Sequence, residues 1–338
     1  DLLTEEQNKN TTLNQDYEEP EQGDDDNSSR LNTEFLQQDG IPVARYPEYD
    51  YVTGNSRPEW TTIVEYAPMV EPASIINDIL EKNAYIVNRI KSLINSAKVS
   101  RPERINRQQE GENLDLNACI EAAISSRIGE SPDPRIHSRA ERRHRDLSVQ
   151  VLLDISESTK DKVTGSDHTV LELERQATAL LAHAMSNLGD PFSIAAFCSN
   201  QREDVRYYRI KDFGAPYNDT SKSYLAGLSG GFSTRIGAAM RHASEDLKRQ
   251  KSHRKLLLVV TDGEPSDIDV PDRSYLVEDA RHVIHHLAHC GIDVFCVGLD
   301  SGGDSYLERI FGRRNVAKID RLERLPERLP MLYFRLTA

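Results

Sequence analysis

The sequence predicts an α/β fold: a doubly wound, mostly parallel sheet flanked by helices, preceded by an N-terminal extended and helical extension. Three observations carry this. From position 146 onward, strand-length apolar runs alternate with helix-length amphipathic segments, the order that builds parallel sheets covered by helices on both sides. Several runs, such as VLL at 151–153 and LLLVV at 256–260, are apolar at consecutive positions, as strands buried on both faces must be. Finally, 338 residues with 38% hydrophobic side chains suffice for one large domain or two ordinary ones.

Along the chain, residues 1–40 come first and read as an acidic flexible linker. They carry twelve acids and two bases, a net of −10 out of the chain's −13, which leaves −3 for the other 298 residues. So few large apolar side chains cannot offset the entropy of ordering such a segment. Residues 41–145 read as an extension packing on the domain that follows. It holds two aromatic and β-branched runs, YPEYDYVTG and WTTIVEYAP, suggesting a peripheral hairpin, then one long amphipathic helix over 72–97 with apolar residues every three or four positions. A second helix is expected around 114–128, with no alternation of strand and helix. In 146–338, strands are predicted at SVQVLLDIS, FSIAAFCS, VRYYRI, KLLLVVTDG, IDVFCVGL and NVAKID. Helices are expected at about 169–188, 234–250, 274–290 and 322–334.

Composition excludes some functions. An acidic chain without interleaved basic and aromatic residues is unsuited to nucleic acid, and no apolar run spans a bilayer or resembles a signal peptide. Four scattered cysteines, Cys119, Cys198, Cys290 and Cys296, form neither a disulfide framework nor a zinc pattern. The expectation is a cytoplasmic protein. A chain beginning at Asp1 without Met reads as a fragment or processed product lacking its native N-terminal part.

The chemistry gathers at strand ends. The first strand of the sheet runs into Asp154-Ile155-Ser156-Glu157-Ser158, where alternate residues point the same way and can converge as the chain leaves the sheet. A second buried strand ends Thr261-Asp262-Gly263-Glu264, and a glycine-rich loop, GGFSTR at 230–235, leads into a helix near Thr234. Singly, these are a polar turn, an Asp-Gly turn and an N-cap. Together, in an open α/β sheet whose ligands bind beyond the carboxyl ends of the strands, they offer two carboxylates and three hydroxyls. Oxygen-only donors select Mg²⁺, with Ca²⁺ or Mn²⁺ as alternatives, over zinc or copper. No second carboxylate cluster or positioned His base accompanies them, so a binding device is expected and no catalytic residue is assigned.

Asp154, Ser156 and Ser158, with Thr234 and Asp262, resemble the five parts of the metal-ion-dependent adhesion site of a von Willebrand factor A domain, and the resemblance covers residues 146–338. It implies that hydroxyls and aspartates hold the ion and that an acidic side chain of a partner completes its octahedron. Glu157, Ser233, Arg235 and Glu264 then become candidate partner-binding residues around it.

A narrower resemblance rests on YPEYDY, EW at 59–60, RIHSRAERRHRDLSV, KDFGAPY, STRIGAAMRHA, TDGEPSDIDV, YLVEDARH and LPERLPMLYFRLT. These segments are similar to the C-terminal region of CbbO and NorD proteins, cytoplasmic adaptors of MoxR-type AAA+ ATPases. TDGEPSDIDV followed by YLVEDAR is closer to CbbO, a TDGKP-type segment being expected in NorD. That resemblance implies a hexameric CbbQ-like ATPase as one partner and inhibited Rubisco as the other. An acidic residue of Rubisco would be gripped through Mg²⁺ while the ATPase remodels the enzyme and releases an inhibitory sugar phosphate. The alternative is the NorD role in activating nitric oxide reductase. The absent N-terminal part would bind the ring, and residues 1–40 would be the tether. No P-loop pattern is present, so ATP hydrolysis belongs to the partner.

Two other readings compete, a metal-dependent hydrolase using Asp154 and Asp262 and an extracellular adhesion domain, the latter disfavoured by the cysteine and signal patterns. Arg135, Arg139, Arg142, Arg143 and Arg145 form a basic cluster read as a solvated face, or else as a contact surface for an acidic partner. His282, His285, His286 and His289 share one predicted helix and read as a partly exposed face in preference to a metal site.

Overall fold

A computed structural model describes residues 39–98, 103–141, 146–163, 167–299, 304–319 and 321–337. The acidic stretch 1–38 and Arg142, Arg143 and Arg145 of the basic cluster lie outside the described residues.

The main sheet has eight strands: β1 (Ile41–Asp50), β2 (Asn55–Tyr66), β6 (Leu147–Asp154), β7 (Phe192–Ser199), β8 (Val205–Lys211), β9 (Arg254–Thr261), β10 (Ile292–Gly298) and β11 (Val316–Lys318). Their spatial order is β1-β2-β8-β7-β6-β9-β10-β11. Five of them, β7-β6-β9-β10-β11, run parallel, and β8 is antiparallel to β7. Every residue of β6 and β7 is buried, the physical counterpart of the consecutive apolar residues at 151–153 and 194–198. The chain leaves β6 for β7 on one side, whereas β9 pairs with β6 on the other. Strand order therefore reverses at the carboxyl end of β6, where such sheets bind ligands.

The helices cover both faces. After α1 (Ser74–Lys82) and α2 (Ala84–Lys98), α4 (Val170–Leu188) starts with a capping box in which Thr169 and Glu172 satisfy each other's backbone donors, and it stops at Gly189 in the left-handed conformation, as capping rules lead one to expect. On the opposite face lie α6 (Ile236–Lys248) and α7 (Arg273–His289), whose apolar residues join the core with β6, β9 and β10. Shorter helices α5 (Asp219–Ala226) and α8 (Asp304–Phe311) and the C-terminal α9 (Leu325–Thr337) complete the set. No helix among the described residues is long and apolar enough to cross a membrane. All four cysteines are free, Cys198 and Cys296 being buried.

Three sequence expectations change. The hairpin β1–β2 is part of the main sheet: β2 pairs in parallel with β8, and the backbone N–H of Tyr49 donates to Asp279 on α7 at 2.7 Å. The single helix over 72–97 is two helices, because Asn83 turns its side-chain amide onto the Ile79 carbonyl at 2.9 Å and ends the first. The expected second helix is α3 (Leu116–Arg127), capped by Asp115, and around it β3 (Glu103–Gln108), β4 (Asn113–Leu114) and β5 (His137–Glu141) form a second sheet in the order β3-β5-β4. These strands are almost wholly polar, so no hydrophobic period announces them.

One close approach holds α6 against α7. A Cβ on Gly237 would stand 2.1 Å from Asp279 Oδ2, and that carboxylate cannot swing aside: it is buried, accepts from Arg241 at 2.9 and 2.5 Å and from the Tyr49 N–H. Gly237→Ala is expected to cost about 1–3 kcal/mol, the usual penalty of overpacking, read as a lower urea midpoint.

Candidate metal centre

Three loops meet at the carboxyl end of β6. The first follows Asp154, whose Oδ1 accepts the Ser156 N–H at 3.1 Å, and this turns the chain into a 3-10 segment at Glu157–Lys160. The second follows β9. Here the Thr261 hydroxyl donates to Asp154 Oδ2 at 2.7 Å, and Asp262 Oδ1 accepts from Ser158 Oγ at 2.9 Å. The third is the glycine-rich loop, which delivers Thr234 Oγ1 to Asp154 Oδ1 at 3.3 Å. Ser156 Oγ and Ser158 Oγ are 3.0 Å apart.

The glycine-rich loop reaches this place through an unusual backbone. Phe232 has φ +65°, a conformation costing a non-glycine residue roughly 1–2 kcal/mol. Its carbonyl thereby accepts the Glu157 N–H at 2.9 Å, and the Arg206 guanidinium lies 4.1 Å from its ring centre. Gly231 N–H donates to the Ile155 carbonyl at 2.9 Å, while Ser233 and Ser199 exchange two backbone hydrogen bonds. A conformation so over-determined is typical of functional loops.

Acidic side chains are concentrated here. Asp154 is fully buried, and burial together with the neighbouring Asp262 raises its pKa to about 7. Beneath it Glu174 on α4 is 1% exposed, and neither of its carboxyl oxygens finds a partner among the described residues. Burial first, then Asp262 and Asp154, hold its proton well above the usual carboxylate range. Buried, mutually repelling acids favour a cation beside them. With Asp154, Asp262, Ser156, Ser158 and Thr234 the donors are all oxygen, a set that fits a hard divalent ion.

The structure thus brings all five sequence-predicted ligands to one place, with Asp154, Ser156 and Thr234 buried, Asp262 half-buried and Ser158 exposed. The four residues expected to meet a partner divide. Glu157 is exposed and pairs with Lys160 at 2.9 Å, Glu264 is half-exposed and 3.9 Å from Arg273, and Ser233 is half-buried in the loop; all three remain at the rim. Arg235 does not. It is wholly buried and ion-paired with Glu48 at 2.6 Å, with Asp267 at 3.0 Å and with Asp269, so it shapes the loop from within and presents no surface of its own. Sequence reasoning missed Glu174 and Thr261. Thr261 was open to discovery, as a hydroxyl one residue before Asp262; Glu174 was not.

Of the remaining candidates, Arg135 pairs with Asp133 at 2.8 Å on an exposed surface. His282, His285, His286 and His289 are exposed on α7, His282 stacking on Tyr49 with ring centres 4.3 Å apart. Among the described residues, no group of three or more His, Cys, Asp and Glu is placed to hold a metal.

Comparison with known proteins agrees with this geometry. The family profile of the von Willebrand factor type A domain matches residues 148–327. The chain belongs to this family. Protein NorD of Brucella abortus is 33% identical to it over 290 residues, 85% of this chain and 45% of that protein. An uncharacterised protein of Pseudomonas aeruginosa is 31% identical over 295 residues, 87% of this chain and 47% of that one. The chain spans about half the length of the curated relatives it matches. Among solved structures, the PilB minor pilin of Streptococcus sanguinis superposes with a TM-score of 0.48 at 13% identity, over 62% of this chain and 66% of that one. In this A domain the five oxygen donors lie at the carboxyl end of the sheet, three of them on β6 and its turn, one before α6 and one after β9.

Proposed function

We propose that this A domain is the target-recognition module of a non-catalytic adaptor, which holds Mg²⁺ at its adhesion site and uses it to grip an acidic side chain of a protein target. The observation that supports this is the pairing of exposed Ser158 with half-buried Asp262 over buried Asp154, a donor set open to solvent on one side only. When bound, the ion supplies a positive centre that a carboxylate from outside can join. The chain's own residues do the rest. Asp154 and Asp262 supply the charge, Ser156, Ser158 and Thr234 supply neutral oxygens that leave the centre electron-poor, and the Thr261 hydroxyl fixes the Asp154 carboxylate.

The names of the curated relatives favour the NorD branch, with nitric oxide reductase as the target and a MoxR-type AAA+ ATPase supplying the work. The TDGEPSDIDV segment favours the Rubisco branch. Reconstitution separates the two: the full-length protein with its ATPase restores either nitric oxide reductase activity or the carboxylation rate of inhibited Rubisco. Ser156→Ala with Ser158→Ala is expected to leave the thermal midpoint in chelator within a few degrees of wild type and to lower activation at least tenfold. Undiminished activation by this variant would remove the ion from the mechanism. Metal-dependent cleavage of a phosphoester that disappears in Asp154→Ala would instead establish a hydrolase.

A further inference from the structure

Beside the metal edge, the β1–β2 hairpin, the loop after β7 and the segment after β9 enclose a cleft of about 480 Å³. Trp60 stands in it, its ring centre 4.2 Å from the guanidinium carbon of Arg202 and 4.8 Å from that of Arg57. Arg57 is already balanced by Asp50 at 2.6 Å. Against these two bases the cleft is lined by Glu48, Glu203, Asp269 and Asp272, so its field is negative.

Glu48 is the decisive residue. It is wholly buried and its Oε1 is taken by Arg235, yet among the described residues its Oε2 has no hydrogen-bond partner, and the hydroxyl of Tyr275, another lining residue, has none either. A buried carboxylate oxygen without a donor costs free energy that an incoming N–H recovers. An anion would meet four carboxylates. We propose that this cleft binds a guanidinium or ammonium group, with Glu48 Oε2 as its principal acceptor.

The cleft is built into the metal edge. Arg235, which holds Glu48 and Asp269 in the cleft wall, follows Thr234 directly, and Thr234 exchanges backbone hydrogen bonds with Ser266, next to Asp267. A target with a basic side chain near its acidic residue would engage both sites; this last step rests on the adhesion-site reading, whereas the cleft's preference for a cation does not.

The test is calorimetric titration of the full chain in chelator, without target, so that failure of the metal reading leaves the result untouched. The probes are agmatine, N-acetyl-argininamide and inorganic phosphate. Both guanidinium probes are expected to bind in the millimolar range and phosphate not at all. Binding of agmatine alone assigns the site to a free polyamine-like cation, and binding of the amino-acid probe assigns it to a protein side chain. Glu48→Gln is expected to weaken binding at least tenfold. Because Glu48 also supports Arg235, Tyr275→Phe serves as a milder variant, expected to weaken binding about threefold with an unchanged thermal midpoint. Preferential binding of phosphate, or guanidinium binding unaltered in Tyr275→Phe and in any folded Glu48→Gln protein, overturns the proposal.

Discussion

Exchanging Arg235 for methionine is expected to destabilise the domain by about 3–5 kcal/mol, the cost of removing one partner from a buried ion cluster. The guanidinium has no exposure and serves three carboxylates, Glu48, Asp267 and Asp269. Methionine fills much of the same volume, so the loss comes from charge and not from a cavity. Glu48 and Asp267, both buried, would lose their cation; among the described residues Glu48 already holds one oxygen without a donor. Domains are stable by only about 5–15 kcal/mol, so the change takes roughly a fifth of the total or more. Urea denaturation checks it: the midpoint should fall with an unchanged slope. Arg235→Lys should recover only part of the loss, since an ammonium cannot reproduce the planar fork that reaches three acids at once. A methionine variant as stable as wild type would show that the cluster contributes nothing net.

Arg235 also shows where sequence reasoning stops. Thr234 is legible because its role depends on local placement, a hydroxyl between a glycine-rich turn and a helix start. Arg235, one residue on, looks like another loop residue, because its partners lie 32, 34 and 187 positions away, and nothing in a single sequence pairs them. The parallel sheet was legible for the opposite reason: burial on both faces forces consecutive apolar residues into β6 and β9, and strand ends then fix where Asp154 and Asp262 must go. Polar β3 and β5 carry no such constraint, and the sequence announces no strand there. In VLELERQ (170–176) Glu174 reads as one more polar position of an amphipathic helix. Only the docking of α4 against the adhesion site makes it a buried acid, and that is a tertiary fact. The break at Asn83 is intermediate: apolar spacing continues through it, while the side chain that ends α1 acts through one hydrogen bond.

Divalent metal is expected to raise the thermal midpoint strongly at pH 8 and hardly at all at pH 5. The pH dependence comes from Asp154, whose pKa in the folded chain is raised by burial and by Asp262 from 3.8 to about 7. Between those two values the folded state holds a proton that the unfolded state has released. Without metal, therefore, this group's contribution to stability is fully present below pH 4 and is lost as pH rises through 7. Glu174, also raised by burial, acts with the same sign. Metal ligation needs the carboxylate ionised, so below pH 7 binding must expel the Asp154 proton. A ligand at a hundred times its dissociation constant stabilises by about 2.7 kcal/mol, and each pH unit below the pKa of one competing proton removes roughly 1.4 kcal/mol of binding. Two units therefore consume nearly all of the gain. Thermal midpoints with Mg²⁺ and with chelator at pH 5, 6, 7 and 8 give the measurement: the difference should grow up to pH 7 and then level off. Asp154→Asn removes both the ligand charge and the titrating proton, so it should make the chelator curve shallower through this window, leaving the part due to Glu174, and abolish the metal response. An equal metal shift at pH 5 and pH 8 in the wild-type chain would show that Asp154 is not the residue through which metal binding and stability are linked.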